Sequence, residues 1–221
     1  MSDESREEIP TGLKITGEIR KAFREALSEL SSTVELELYV DREGGFSRIA
    51  TDLAELIAQE SEGKVSLKTY VKEENPDAFK ERGVDKTPTF SLCNGAIRYI
   101  GVPLAEELPA FIETLIRISK SETKLSDETE KWLKQLNRRF QIQVVVTMSC
   151  PYSPYAVLLA NMFAFSSNGM VTSEAIEALD NLDIVDEHGI TAVPTVLVNG
   201  KVAFVGLPRE DQLLKYLVES E

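Results

Sequence analysis

The chain is poor in cysteine and histidine. Its 221 residues include two cysteines, Cys93 and Cys150, and one histidine, His188. A disulfide-stapled secreted scaffold needs more cysteines. A zinc site needs more thiolate and imidazole ligands, so no metal or other cofactor is expected. No apolar run approaches the roughly 18 residues of a membrane span. Residues 1–10 are polar and acidic and lack the apolar stretch of a signal peptide. Basic residues are few, 24 Lys and Arg against 37 Asp and Glu, a net charge of −13. That balance argues against nucleic acid, whose phosphates need a basic surface. What remains is 43% apolar and 28% charged, enough for a core and a solvated surface. Sparse cysteines with no signal sequence point to a reducing cytosol.

The chain repeats itself. Val84-Asp85-Lys86-Thr87-Pro88-Thr89 matches Ile190-Thr191-Ala192-Val193-Pro194-Thr195 at an offset of 106, and Gly83 matches Gly189. Asn94-Gly95 and Ile100-Gly101-Val102-Pro103 match Asn199-Gly200 and Val205-Gly206-Leu207-Pro208 at 105, so one residue is inserted in the first copy. Two units of about 100 residues are two domains, since solenoid repeats are shorter. The expected domains are 1–120 and 121–221, joined by a polar linker at 119–125.

Each copy predicts the same order of elements. A helix opens it (17–30; 127–139, with Ser126 as N-cap), followed by a strand (34–40; 142–147) and a helix (46–60; 154–165). A second strand is clear at 65–71. Its partner, 171–178, has helical propensity, and only the repeat makes it a strand. A short helix then ends at Gly83 or Gly189, both suited to a left-handed C-cap. A hairpin with an Asn-Gly turn (89–100; 195–205) and a closing helix (104–116; 209–218) complete the copy. A βαβ crossover followed by an antiparallel hairpin gives an α/β fold, a mixed sheet with helices on both faces.

Cys150-Pro151-Tyr152-Ser153 lies where the second copy passes from strand to helix, 44 residues before Pro194. Free N–H groups and the dipole at a helix N-terminus favour a thiolate over a thiol. A thiol so placed, opposite a Val-Pro-Thr turn, suits thiol–disulfide exchange. A cis Pro194 would turn the Val193 backbone outward to add a substrate strand. No charged residue lies between Arg139 and Glu174, so ionic assistance does not come from sequence neighbours. Those apolar surroundings read as a buried strand and helix, or as an apron for unfolded segments. In the first copy Gly44 and Ser47 occupy the positions of Cys150 and Ser153. Cys93, in a predicted hairpin strand, reads as a packing residue, and His188, at a helix end, as a cap.

These features resemble the thioredoxin fold, twice over. The whole chain is similar to archaeal-type protein disulfide oxidoreductases, also called glutaredoxin-like proteins, in which two thioredoxin units are fused. Cys150-Pro151-Tyr152-Ser153 matches that family's Cys-Pro-Tyr-Cys at three of four positions, and the segment from Ser121 to Thr129 resembles its interdomain junction. The resemblance implies that Cys150 is the nucleophile, with Ser153 in the place of the resolving cysteine. Pro151, Tyr152, Val193 and the cis Pro194 would contact substrate. The implied partners are protein thiols and disulfides and a thioredoxin-reductase-like electron donor. The chain departs from the family at Ser153, at the thiol-free Gly44-Gly45-Phe46-Ser47, and in lacking an acid over 142–148. It also lacks the glutaredoxin lysine, where Thr147 stands, and a glutathione-binding Gly-Gly-Ser-Asp segment.

Ser153 cannot attack a disulfide, because a neutral alcohol is far less nucleophilic than a thiolate, so an adduct on Cys150 waits for an external thiol. Two readings of it stand, a natural monothiol exchanger or a Cys-to-Ser substitution that traps the adduct. Two other functions compete: a non-enzymatic binding or chaperone module, and a monothiol glutaredoxin-like protein sharing an iron–sulfur cluster through Cys150 and glutathione.

Overall fold

A computed structural model describes residues 12–220; the polar segment 1–10 lies outside them. Eight strands form one sheet of order β2-β1-β3-β4-β6-β5-β7-β8. The first half contributes β1 (Val34–Val40), β2 (Val65–Val71), β3 (Thr89–Leu92) and β4 (Ile97–Ile100). The second contributes β5 (Phe140–Val146), β6 (Val171–Glu177), β7 (Thr195–Val198) and β8 (Lys201–Val205). In each half the first two strands are parallel and the last two antiparallel. The halves join where β4 runs parallel to β6, from Ile97 against Ser173 to Ile100 against Ile176.

The helices are α1 (Gly17–Leu27), α2 (Gly45–Glu60), α3 (Pro76–Arg82), α4 (Glu107–Lys120), α5 (Asp127–Lys134), α6 (Ser153–Ser166), α7 (Leu182–His188) and α8 (Glu210–Glu219). Period-2 alternation assigns the two faces of the sheet. Phe140, Ile142, Val144 and Val146 of β5 enter the main core with α2, α4 and α6. Val145 points to the opposite face, where Ile184 and Val185 of α7 cover it, and α3 covers Tyr39 there through Phe79. Helix α6 is apolar almost all round because it is packed between the sheet and α4.

Most predicted elements form, with shifted ends. Helix α1 stops at Leu27 and α5 at Lys134, short of the predicted 30 and 139. Strand β5 starts at Phe140, not 142, because Val171 pairs there. Ser119 and Lys120, predicted as linker, close α4, and Ser121 caps it in the left-handed region. Gly83 and Gly189 are left-handed C-caps at φ 61° and 60°, and Ser126 caps α5 by accepting the Thr129 N–H. Segment 171–177 is a strand despite its helical propensity, since it is paired on both sides. Cys93 is not in a strand. It starts a 3-10 turn, Cys93–Gly95, with φ 53°. That turn is two residues longer than the Asn199-Gly200 turn, while β8 bulges by one near Ala203, so the repeat offset falls by one.

A buried polar network pins the seam. The Asn161 amide of α6 donates to Tyr99 Oη at 2.8 Å and Thr114 Oγ1 at 3.1 Å in the first half. Its carbonyl accepts the Ser173 hydroxyl at 2.8 Å. Asn161 and Ser173 are wholly buried, and each polar atom of the group has a partner, as burial requires.

Candidate functional site

Cys150 sits in the loop between β5 and α6. Its N–H donates to Thr147 O at 3.0 Å, a tight turn that leaves Pro151 and Tyr152 to lead into the helix. Helix α6 starts at Ser153, so Cys150 precedes it and is not its first residue. With Pro154 in the first turn, one of the helix's free N–H donors is missing.

The predicted site residues converge in part. Cys150 Sγ lies 3.6 Å from Val193 O, and the Val193-Pro194 bond is cis. The thiol is 9% exposed, while Tyr152 is 64% exposed beside it. Ser153 is wholly buried, and its Oγ has no hydrogen-bond partner among the described residues. Pro151 of the motif and Pro154, Tyr155 and Leu158 after it face Glu106 and the α4 residues Pro109, Ala110 and Glu113 across a cleft of about 330 Å³.

The equivalent place in the first half is rebuilt around a carboxylate. Asp41 Oδ1 accepts the Ser47 hydroxyl at 2.7 Å and the Gly44 N–H at 2.8 Å, and Oδ2 accepts the Thr87 hydroxyl at 2.9 Å. Burial pushes the Asp41 carboxyl up, but these hydrogen bonds outweigh it and hold the group below its ordinary value. A Cβ at Gly44 would lie 2.2 Å from Asp41 Oδ1, so a cysteine there would have to displace the carboxylate. The Thr87-Pro88 bond is cis, like its counterpart.

Sequence reasoning missed two buried acids beside the Cys150 loop. Glu107 opens α4 and is 3% exposed, and neither carboxyl oxygen has a partner among the described residues. Burial, then the nearby Glu177, raises it to about 8. Glu177 ends β6, and burial raises it to about 7. Both line a small cavity with Pro103 and Val146. The Glu106 N–H donates to Met148 O at 3.2 Å, and within the second half the Ala178 N–H, next to Glu177, donates to Val146 O at 2.8 Å. Both halves therefore grip the loop that carries the thiol. The repeat held one signal, since Glu177 aligns with Val71, a carboxylate where the first copy is apolar. Cys93 and His188 lie elsewhere. Burial pushes the Cys93 thiol up to about 11, and His188 closes α7 ahead of the Gly189 cap.

The duplicated β2-β1-β3-β4 sheet pattern, the crossover helices and the cis-proline after the second crossover define the thioredoxin fold in each half. A thioredoxin-domain family model matches residues 140–218. A protein disulfide oxidoreductase from Aeropyrum pernix is 35% identical over 94% of both chains, with a TM-score of 0.90. The N-terminal domain of alkyl hydroperoxide reductase AhpF from Enterococcus faecalis shares the fold at a TM-score of 0.81 and 20% identity, over 92% of this chain and 99% of that one. An alkyl hydroperoxide reductase polypeptide from Pseudomonas putida is 25% identical over 83% of this chain and 34% of its own length. The chain thus spans about a third of the length of that relative. The chain belongs to the protein disulfide oxidoreductase family of thioredoxin-fold proteins.

Proposed function

We propose that the chain exchanges thiols and disulfides with other polypeptides through Cys150 alone. The observation that carries this is the Cys150 thiol 3.6 Å from Val193 O beside the cis Pro194, with exposed Tyr152 at its side. The Cys150 thiolate attacks one sulfur of a substrate disulfide. A Cys150–substrate disulfide forms, the substrate's S–S bond breaks, and the released thiolate takes up a proton. A second thiol, from a dithiol protein or a thioredoxin-reductase-like donor, attacks the adduct and restores Cys150. Val193, Pro194, Pro151 and Tyr152 hold the substrate backbone and its apolar neighbours. The first half is silent in exchange because Asp41 fills its motif. We place the domain boundary between residues 120 and 121 and the protein in a reducing compartment, where both cysteines remain thiols.

The test is Ser153→Cys. The parent, incubated with a peptide disulfide, should accumulate a one-to-one mixed disulfide visible by non-reducing mass spectrometry. The variant should release reduced substrate, keep an oxidised motif and reduce insulin well above the parent, because an intramolecular thiol acts at high effective concentration. No adduct on the parent and no gain in the variant would sink the proposal.

A further inference from the structure

This inference rests on Cys150 as an exchange thiol and concerns what the silent half contributes. Helix α4 has two sides. One walls the cleft beside Pro151 and Tyr155. On the other, Leu108, Ile112 and Ile116 stand one helical turn apart in a row. They face Ala22, Phe23 and Ala26 of α1 across a groove of about 340 Å³, whose lining is apolar except for Glu113. Pro109 and Glu113 belong to both hollows. One surface therefore runs from the thiol motif over α4 to α1. It stays open because Ala22 and Ala26 are small and exposed, while α1 is anchored by Leu27 at its far end.

Apolar lining left open to water is surface that an apolar side chain can cover. Its continuity with the motif cleft selects the occupant. Pro151, the neighbour of Cys150, lines that cleft, so a polypeptide whose cysteine joins Cys150 passes its edge, and the chain flanking that cysteine can be carried over α4. We infer that the α1–α4 groove docks an apolar segment of the disulfide-bearing polypeptide, near in sequence to its reacting cysteine. Selection among disulfides then depends on the silent half, and reactivity on the other. Seating one Leu- or Phe-sized side chain would improve binding about ten-fold or more.

The experiment uses two cysteine peptides of equal length and charge, activated as 2-thiopyridyl disulfides. One carries Leu and Phe beside its cysteine, the other Ser and Asn. Thiopyridone release reports attack by Cys150. The apolar peptide should react about ten-fold faster below saturation, through a lower KM. Ala22→Glu with Ala26→Glu, at exposed helical positions, should remove that advantage and leave the reaction with 2,2′-dithiodipyridine unchanged. Ala22→Gln with Ala26→Gln should do the same, separating apolar docking from charge. Equal rates for the two peptides, or an advantage that survives both double variants, would overturn the inference. So would a dimer in sedimentation that the variants dissolve, because the occupant would then be a second copy. Failure of the small disulfide to react would instead strike at Cys150 as an exchange thiol.

Discussion

Glu107→Gln tests whether a protonated carboxyl closes the seam beside the Cys150 loop. Glu107 is 3% exposed, and its oxygens have no partner among the described residues. Burial raises it from 4.5 to about 8. The folded protein therefore keeps a proton that the unfolded chain has released, at every pH between those values. Stability from this group is complete below about pH 4.5 and is lost as pH rises through about 8. A displacement of that size corresponds to a loss on the order of 4–5 kcal/mol across the window. Glutamine keeps the shape and cannot ionise. The measurement is urea unfolding followed by circular dichroism at intervals from pH 5 to pH 9. The parent's unfolding free energy should fall between pH 5 and about pH 8 and level off above it. The variant should match it near pH 5, keep only the smaller slope from Glu177, and exceed the parent at pH 9 by about 3–4 kcal/mol. Parallel curves for the two proteins would refute the reasoning.

Two further outcomes are expected. Asn161→Ala should cost about 1–3 kcal/mol, because the buried Ser173 hydroxyl loses its acceptor and Tyr99 and Thr114, which keep each other, lose their donor from the second half; denaturant unfolding checks this, and a change below about 0.5 kcal/mol would remove the network as a seam lock. Cys93, half-buried with its thiol pushed up to about 11, should alkylate slowly at pH 8 in the native protein and rapidly in urea; equally fast native labelling would show that the turn opens.

The sequence alone determined the elements with local causes. Period-2 alternation marks β1 and β5, Gly83 and Gly189 supply left-handed caps, and Asn199-Gly200 closes a two-residue turn at φ 49° and 72°. The motif and the Val-Pro-Thr turn put Cys150 opposite Pro194, and the repeat placed Gly44 as its thiol-free counterpart. It also made 171–177 a strand against its propensity, a choice that interior pairing on both sides enforces. Tertiary structure decided what depends on groups far apart in the chain. No local pattern says that β4 will pair with β6 and fuse two sheets into one. None says that Glu107 and Glu177 will meet beside the Cys150 loop, or that Asp41 will fill the first motif through Ser47 and Thr87. Dihedral preferences and hydrophobic period act within a few residues. The charge state of a carboxyl is set by water removed by distant segments, and that is fixed only when the two halves close together.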